Sequence, residues 1–331
     1  MTAPAGRAGR AAWLASLSLA ALVWGGCAAD PPAPTVASAD SLGLPAPFGA
    51  RLDRGDLSAY ILDREGDAYA LVEVPSDTGN VLVQYVDRRG AVVAQILGPA
   101  TDRTPGPGLY HPTAPSPFVE MMPLADVVRQ QAADPRLLAV LNGAFFETPG
   151  EPATQIAFPV AEAGTVVTGG SSPYGPGRPG ADDERWGRPL RALGLGSPPG
   201  PDTAVSVVPY DPATGAPLAD DGPFAEALVS YAPGSHPTRI ATRFHVLGAL
   251  DADGDGRSEV LLIATSDGRT TIQAPVRVLE RLGVEPQDMI AIDGGASVFV
   301  WNRRAGTLHQ PTPAGGRGPQ DLPHLLTVRL R

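Results

Sequence analysis

The chain of 331 residues contains no lysine, a single cysteine and five histidines, and each shortage removes a class of chemistry. Without lysine there is no Walker-type phosphate loop, no Schiff base and no Ser-Lys dyad, and every strong base is an arginine. The lone cysteine, Cys27, leaves the rest of the chain without a disulfide or a thiol nucleophile, so stability must come from a hydrophobic core. The histidines His111, His236, His245, His309 and His324 show no spacing of the His-Glu-x-x-His kind. That argues against a zinc centre, and His236 reads as a loop residue. The absence of a Gly-x-Ser-x-Gly elbow argues against an α/β-hydrolase. Acids outnumber bases 35 to 25, for a formal net charge of −10, and no stretch concentrates the arginines. A polyphosphate partner demands a basic face, so no nucleic-acid partner is expected.

Long apolar runs are also missing. The longest, Ala11 to Trp24, matches the h-region of an export signal and is too short to span a bilayer. Arg7 and Arg10 precede it, and Gly25-Gly26 lead into Cys27, the pattern of a bacterial lipoprotein whose cysteine is lipidated after cleavage. Trp24 stands where leucine is usual, and ordinary secretory cleavage, giving a secreted or periplasmic protein, is the alternative. Removing residues 1–26 takes away Arg7 and Arg10 and no acid, which moves the formal charge from −10 to −12. Residues 27–50 are rich in Pro, Ala and Ser without periodicity and read as a flexible tether. The expected organisation is a signal peptide over 1–26, the lipidated Cys27 and linker over 27–50, and one domain over 51–331, anchored to a membrane of the cell envelope.

Within that domain, short β-prone runs at 60–62, 68–74, 81–86 and 91–97 are separated by polar turns rich in glycine and aspartate, which predicts an N-terminal antiparallel β meander. Further strands are expected at 204–208 and 227–231. Helical spacing of apolar residues predicts helices over 124–132, opened by Pro123, and over 275–282, closed by Gly283. Each helix feeds an apolar strand, Leu137 to Leu141 and Met289 to Ile292. The fold class expected is α+β (mixed α/β), a central β-sheet with flanking helices. Residues 171–191, poor in apolar side chains, read as a long surface loop in which Trp186 either pins the loop to the body or stacks on a sugar.

Both predicted strands end on an unusual punctuation. Ile292 is followed by Asp293-Gly294-Gly295-Ala296-Ser297-Val298, and Leu141 by Asn142-Gly143-Ala144-Phe145-Phe146. An acid followed by glycines at a strand tip presents a carboxylate and lets backbone approach closely, although Asp-Gly-Gly is equally the signature of a hairpin turn. Together the two segments resemble the phosphodiester glycosidase family, whose patterns are of the type Asn-Gly-Gly-Phe-Phe and Asp-Gly-Gly-Gly-Ser-Ser. Ala144 and Ala296 stand where glycine is usual, and Val298 replaces the second serine. The resemblance covers about residues 120–305. It implies an exported hydrolase that cleaves a sugar phosphodiester at the anomeric carbon. Asp293 would be the catalytic carboxylate, paired with Glu151 or, as a substitute, Glu147. Asn142, Gly143, Gly294, Gly295 and Ser297 would contact sugar or phosphate. Arg239 or Arg243, in a segment like the family's arginine-bearing one, would hold the phosphate, since a guanidinium is a planar fork of donors.

The run Asp251-Ala252-Asp253-Gly254-Asp255-Gly256-Arg257-Ser258-Glu259 places acids at alternate positions around glycines, as a calcium loop requires. Leu262 occupies the twelfth position, which excludes an EF-hand. The segment resembles the calcium-binding hairpins of integrin-type propeller repeats, with Asp251, Asp253, Asp255 and Glu259 as ligands of a structural calcium. An unmetallated Asp-Gly hairpin is the alternative. Two other functions stay open: a non-catalytic surface lipoprotein that binds a cell-envelope glycan, and a calcium-stabilised structural surface protein.

Overall fold

Runs of β-branched and aliphatic residues broken every few positions by Gly, Asp and Pro can only pair as short strands, and strands dominate the molecule. The structure is a computed structural model that describes residues 59–147, 151–171, 189–196, 203–218, 224–235, 240–266, 268, 270–312 and 321–331. The signal, Cys27 and the linker lie outside the described residues, as do Trp186, His236 and Arg239. Among the described residues no helix is long and apolar enough to cross a membrane.

In chain order the elements begin with β1 (Tyr60–Glu65), β2 (Tyr69–Ser76), β3 (Gly79–Asp87), β4 (Ala91–Leu97), β5 (Phe118–Glu120), α1 (Leu124–Gln131), β6 (Leu137–Asn142) and β7 (Ala153–Gln155). There follow β8 (Val160–Glu162), β9 (Thr165–Thr168), β10 (Leu190–Leu195), β11 (Val205–Tyr210), β12 (Glu226–Tyr231), β13 (His245–Leu250) and β14 (Val260–Ser266). The chain closes with α2 (Gln273–Arg281), β15 (Met289–Ile292), β16 (Val300–Asn302), β17 (Gly306–His309) and β18 (His324–Leu330). An 11-stranded sheet runs β1-β2-β3-β14-β13-β15-β12-β10-β11, with β8 and β9 attached beside β12. A five-stranded sheet runs β17-β16-β6-β18-β4, and β5 pairs with β7 apart from both. All the pairings between these strands are antiparallel.

The expected single central sheet with flanking helices is thus replaced by a β-dominated, layered arrangement. The meander holds for β1 to β3, whereas β4 leaves the large sheet and pairs with β18. The β14 strand shows how the layers arise, because its residues are buried on both faces. Val260, Leu262 and Ala264 pack with Val276, Val278 and Leu279 of α2, while Leu261 and Ile263 pack with Leu141, Leu326 and Val328 of the smaller sheet. The outer face of the smaller sheet is covered by α1 through Leu124 and Val127 against Leu137, Val140 and Leu325. Each helix therefore caps one outer face and the two sheets face each other. Period-2 alternation sends side chains to two faces but does not say which sheet a strand joins.

The helix ends follow their residues. Gly283 takes the left-handed conformation (φ +88°) that closes α2, and Val284 N–H returns to Leu279 O at 3.0 Å. Leu261 is fully buried between the sheets. Leu261→Ala is expected to destabilise the domain by about 2 to 5 kcal/mol, the range for a buried leucine truncation, read as a lower urea midpoint at unchanged slope.

Candidate active site

Neither strand-tip motif is a hairpin. After Ile292 the chain leaves the large sheet through a 3-10 turn at Gly295–Ser297 and enters β16 of the smaller one, while Asn142 ends β6, a strand of the smaller sheet. The two motifs meet where the sheets come together. Asn142 Nδ2 donates to Asp293 O at 2.6 Å, and Asp293 N–H donates to Gly143 O at 3.1 Å. Asn142 Oδ1 accepts from Phe299 N–H at 2.8 Å and from His245 Nε2 at 2.6 Å.

These contacts change the roles expected of several residues. Asn142 is 1% exposed, so its amide fastens backbone rather than a sugar hydroxyl. Gly143 lacks a side chain because the His324 imidazole fills that space: a Cβ there would lie 2.0 Å from Nδ1. His324 Nδ1 accepts from Ala144 N–H at 2.9 Å, and Nε2 lies 3.2 Å from Gln95 Oε1, to which it donates. Burial holds the His324 imidazolium down at about 4. Gly294 admits the Arg243 carbonyl, which a Cβ would approach to 2.8 Å, and Gly295 needs its left-handed φ of +63° to donate N–H to that same oxygen at 2.8 Å. Glycine here serves close approach of protein to protein.

Asp293 is 8% exposed. Burial pushes its carboxyl up to about 7, against the opposing effect of hydrogen bonds from the Ser297 hydroxyl and the Gly294 N–H. Ser297 therefore bonds the carboxylate, and Arg243 is not among the groups that set its titration. Tyr231, at the end of β12, is raised above the ordinary phenol range by burial and then by the charge of Asp293. Its ring lies 5.4 Å from Phe145, which stands edge-on to Phe158 at 6.0 Å. The carboxyl thus has an aromatic neighbourhood and a proton affinity suited to exchange near neutrality.

Arg243 lies just before β13. Its guanidinium donates to Gln310 O at 3.1 Å and lines a cleft of about 430 Å³ with Thr242, Gly268, Gly295, Ala296, His309 and Thr312. Asp293 is not part of that lining; the two residues are joined through the main chain, where Gly295 N–H donates to Arg243 O at 2.8 Å. Glu151 is exposed and, among the described residues, makes no hydrogen bond or ion pair with Asp293. A second cleft of about 380 Å³, lined by residues that include Val205, Val207, Arg257 and Asp288, holds none of the strand-tip motif residues.

The acidic segment forms the hairpin between β13 and β14. Carboxylate oxygens of Asp251, Asp253 and Glu259 lie within 4.8 Å of one another. Asp251 accepts from Gly254 and Gly256 N–H at 2.7 and 2.8 Å, and these bonds hold its carboxyl below the ordinary range. Asp255, expected to be a fourth ligand, stands apart because its carboxylate is turned back onto Arg257 N–H at 2.8 Å. Arg89 already brings a positive charge to the group: its guanidinium contacts Asp253 at 2.9 Å, Asp87 at 2.8 Å and Glu259 at 3.6 Å.

No protein-family model and no curated protein matches the chain. Among solved structures, the zebrafish N-acetylglucosamine-1-phosphodiester alpha-N-acetylglucosaminidase catalytic domain, auto-inhibited by its pro-peptide, is similar at 15% identity and a TM-score of 0.48, over 83% of each chain. A protein of Burkholderia pseudomallei is similar at 11% identity and a TM-score of 0.34, over 79% of this chain and 74% of its own. Likenesses this remote carry no inference about chemistry.

His245, Thr265 and His324 went unremarked in the sequence as parts of the site. The available signal was a histidine inside the apolar run Phe244-His245-Val246-Leu247, a position that a buried strand tolerates only when both ring nitrogens find partners. Asn142→Ala would strand His245 Nε2–H, Phe299 N–H and Asp293 C=O together. At about 1 to 3 kcal/mol per buried unsatisfied group, chemical denaturation is expected to show a loss of several kcal/mol, larger than that from an exposed asparagine.

Proposed function

We propose that the chain is an exported hydrolase of the phosphodiester glycosidase type, held at the cell envelope through a lipid on Cys27 and acting on a sugar phosphodiester. The observation that supports the reading is the junction of the two motifs, Asn142 with Asp293 at 2.6 Å and Gly295 N–H with Arg243 O at 2.8 Å, around a buried carboxyl with no ion-pair partner among the described residues. In the proposed reaction the bond between the anomeric carbon and the phosphate oxygen breaks and the phosphate monoester leaves with the bonding pair. Water adds to the anomeric carbon and its proton passes to the Asp293 carboxylate. A phosphate leaves readily without a strong acid, so one carboxylate and one arginine cover the main demands, the arginine by neutralising phosphate charge. Aromatic faces at Phe145 and Tyr231 would support the sugar.

Glu151 favours the second reading, a glycan-binding lipoprotein without catalysis, because a glycosidase normally carries two facing carboxyls and Glu151 makes no bond to Asp293. Turnover of a panel of sugar 1-phosphodiesters by the purified domain separates the two. Under the hydrolase reading kcat/KM rises with pH through about 7, where Asp293 ionises, and Asp293→Asn abolishes it at preserved folding. Arg243→Ala should weaken diester binding by about 1.5 to 3 kcal/mol. Hydrolysis that persists in Asp293→Asn removes the assignment.

The same carboxyl leaves a mark on stability. Folded Asp293 keeps its proton up to about 7, whereas an unfolded aspartate releases it near 3.8. The native state therefore binds more protons across that window. Its contribution is fully present below the window and is lost as pH rises through it. Melting temperature of the wild type should fall between those two pH values relative to that of Asp293→Asn.

Calcium at Asp251, Asp253 and Glu259 belongs to the proposal as a structural ion. Three carboxylates on a glycine-wrapped turn suit a hard cation, and Arg89 is its competitor for Asp253 and Glu259. Calcium should raise the melting temperature, and by a larger margin in Arg89→Ala. Identical melts with calcium and with chelator in both proteins would leave Arg89 as the only counter-charge.

A further inference from the structure

Asp293 is pinned on both sides of its own backbone. Its N–H donates to Gly143 O at 3.1 Å and its C=O accepts from Asn142 Nδ2 at 2.6 Å. Which end of the Asn142 amide is oxygen is settled by two main-chain groups of opposite sense. Phe299 N–H needs an acceptor and Asp293 C=O needs a donor, so Oδ1 faces Phe299 at 2.8 Å. The ring nitrogen that also faces Oδ1, His245 Nε2 at 2.6 Å, must then carry hydrogen. Nδ1 is left as the acceptor for the Thr265 hydroxyl at 2.8 Å. The three side chains form a directed line from β14 through β13 of the large sheet to β6 of the smaller one, ending on the main-chain carbonyl of Asp293, the residue after β15.

We propose that His245 is a positioning residue for the reaction assigned to Asp293, acting through Asn142 in an Nε2–H tautomer that the Asn142 Oδ1 acceptor imposes and the Thr265 hydroxyl completes at Nδ1. The proposal rests on the hydrolase reading. His245 is not in the cleft lining and is not among the groups bonded to the carboxyl. Its effect is on geometry: with both its peptide groups tied, Asp293 has one backbone conformation, and its carboxyl stays against the Ser297 hydroxyl and the Gly294 N–H. Releasing the Asn142 amide would let the 293–295 segment rotate, and a displacement on the order of 1 Å at a reacting group lowers rates by roughly a hundredfold. Burial supports the assignment, since His245 is fully enclosed and its imidazolium is pushed down to about 3, chiefly by desolvation. The ring is therefore a neutral hydrogen-bond relay of fixed polarity, not a proton carrier. Reversing the tautomer would set two acceptors, the bare ring nitrogen and Oδ1, against each other.

The test compares His245→Leu, which removes the donor, with His245→Gln, which can present an N–H toward Asn142, in the full mature chain. His245→Leu is expected to lower kcat by about ten- to a hundredfold with KM changed by less than about threefold, and His245→Gln to recover most of the loss. Nitrogen-15 shifts of the wild-type ring should report Nε2 protonated and Nδ1 bare. A kcat for folded His245→Leu within about twofold of wild type, or an Nδ1–H tautomer, would overturn the proposal. If His245→Leu does not fold, Thr265→Val removes only the hydroxyl that bonds Nδ1 and holds the ring in place. A fall in kcat at steady KM supports the relay, and unchanged kinetics overturn it. Should wild type hydrolyse no diester at all, the hydrolase reading fails. The relay is then judged by carbon-13 titration of the Asp293 carboxyl, which should move by roughly half a pH unit or more in Thr265→Val, and a titration that does not move overturns it.

Discussion

The side-chain amide of Asn142 is shared by both sheets. It belongs by sequence to the smaller sheet, yet its two polar atoms meet a carbonyl that follows the large sheet, an N–H that precedes β16 and an imidazole on β13. An amide this deeply buried costs free energy unless every partner is supplied, so the packing of one sheet on the other is constrained to the one offset in which all three arrive. The aliphatic layer between the sheets supplies most of the cohesion, and it would tolerate small slips. The amide does not. A second tie of the same kind joins Asn302 of β16 to Asp63 of β1 at 2.8 Å, with Arg304 reaching the same carboxylate at 3.2 Å.

That constraint explains why the glycines cluster where they do. Two chain segments crossing between sheets must pass within hydrogen-bonding distance of each other. Gly143 yields room for His324, Gly294 yields room for the Arg243 carbonyl, and Gly295 supplies a backbone turn that other residues adopt at a cost. Asp293 emerges from this crowded junction with its carboxyl enclosed, bonded by a hydroxyl and one N–H but by no cation among the described residues. Its near-neutral titration is the direct consequence of being located there. Structural tightness and chemical potential have the same origin at this position.

Much of the fold could be read from the chain. Nearly every strand run identified by composition corresponds to a strand, both helices occur, and Gly283 ends α2 as its position suggests. The two strand-tip motifs could be singled out because an apolar run that stops on Asp-Gly-Gly or Asn-Gly breaks the pattern on either side. What could not be read was partnership. The β4 strand looks like the continuation of the meander, but joins β18 more than two hundred positions later in the chain. Asp255 looks like its neighbours Asp251 and Asp253, but its side chain closes a local turn instead of facing the cluster. Arg89 shows no sign in sequence of being the cation of that hairpin.

The sequence by itself determined the strand content, the positions of the two helices, the absence of thiol and lysine chemistry, and the two punctuated strand ends, because each depends on residues close in the chain. Only the tertiary structure decided that there are two facing sheets, that Asn142 holds backbone and not ligand, that His245 and His324 are buried with both ring nitrogens bonded, and that Asp293 titrates near 7. These depend on burial and on hydrogen bonds between residues 103 to 180 positions apart. Neither quantity exists until the two sheets have closed on each other.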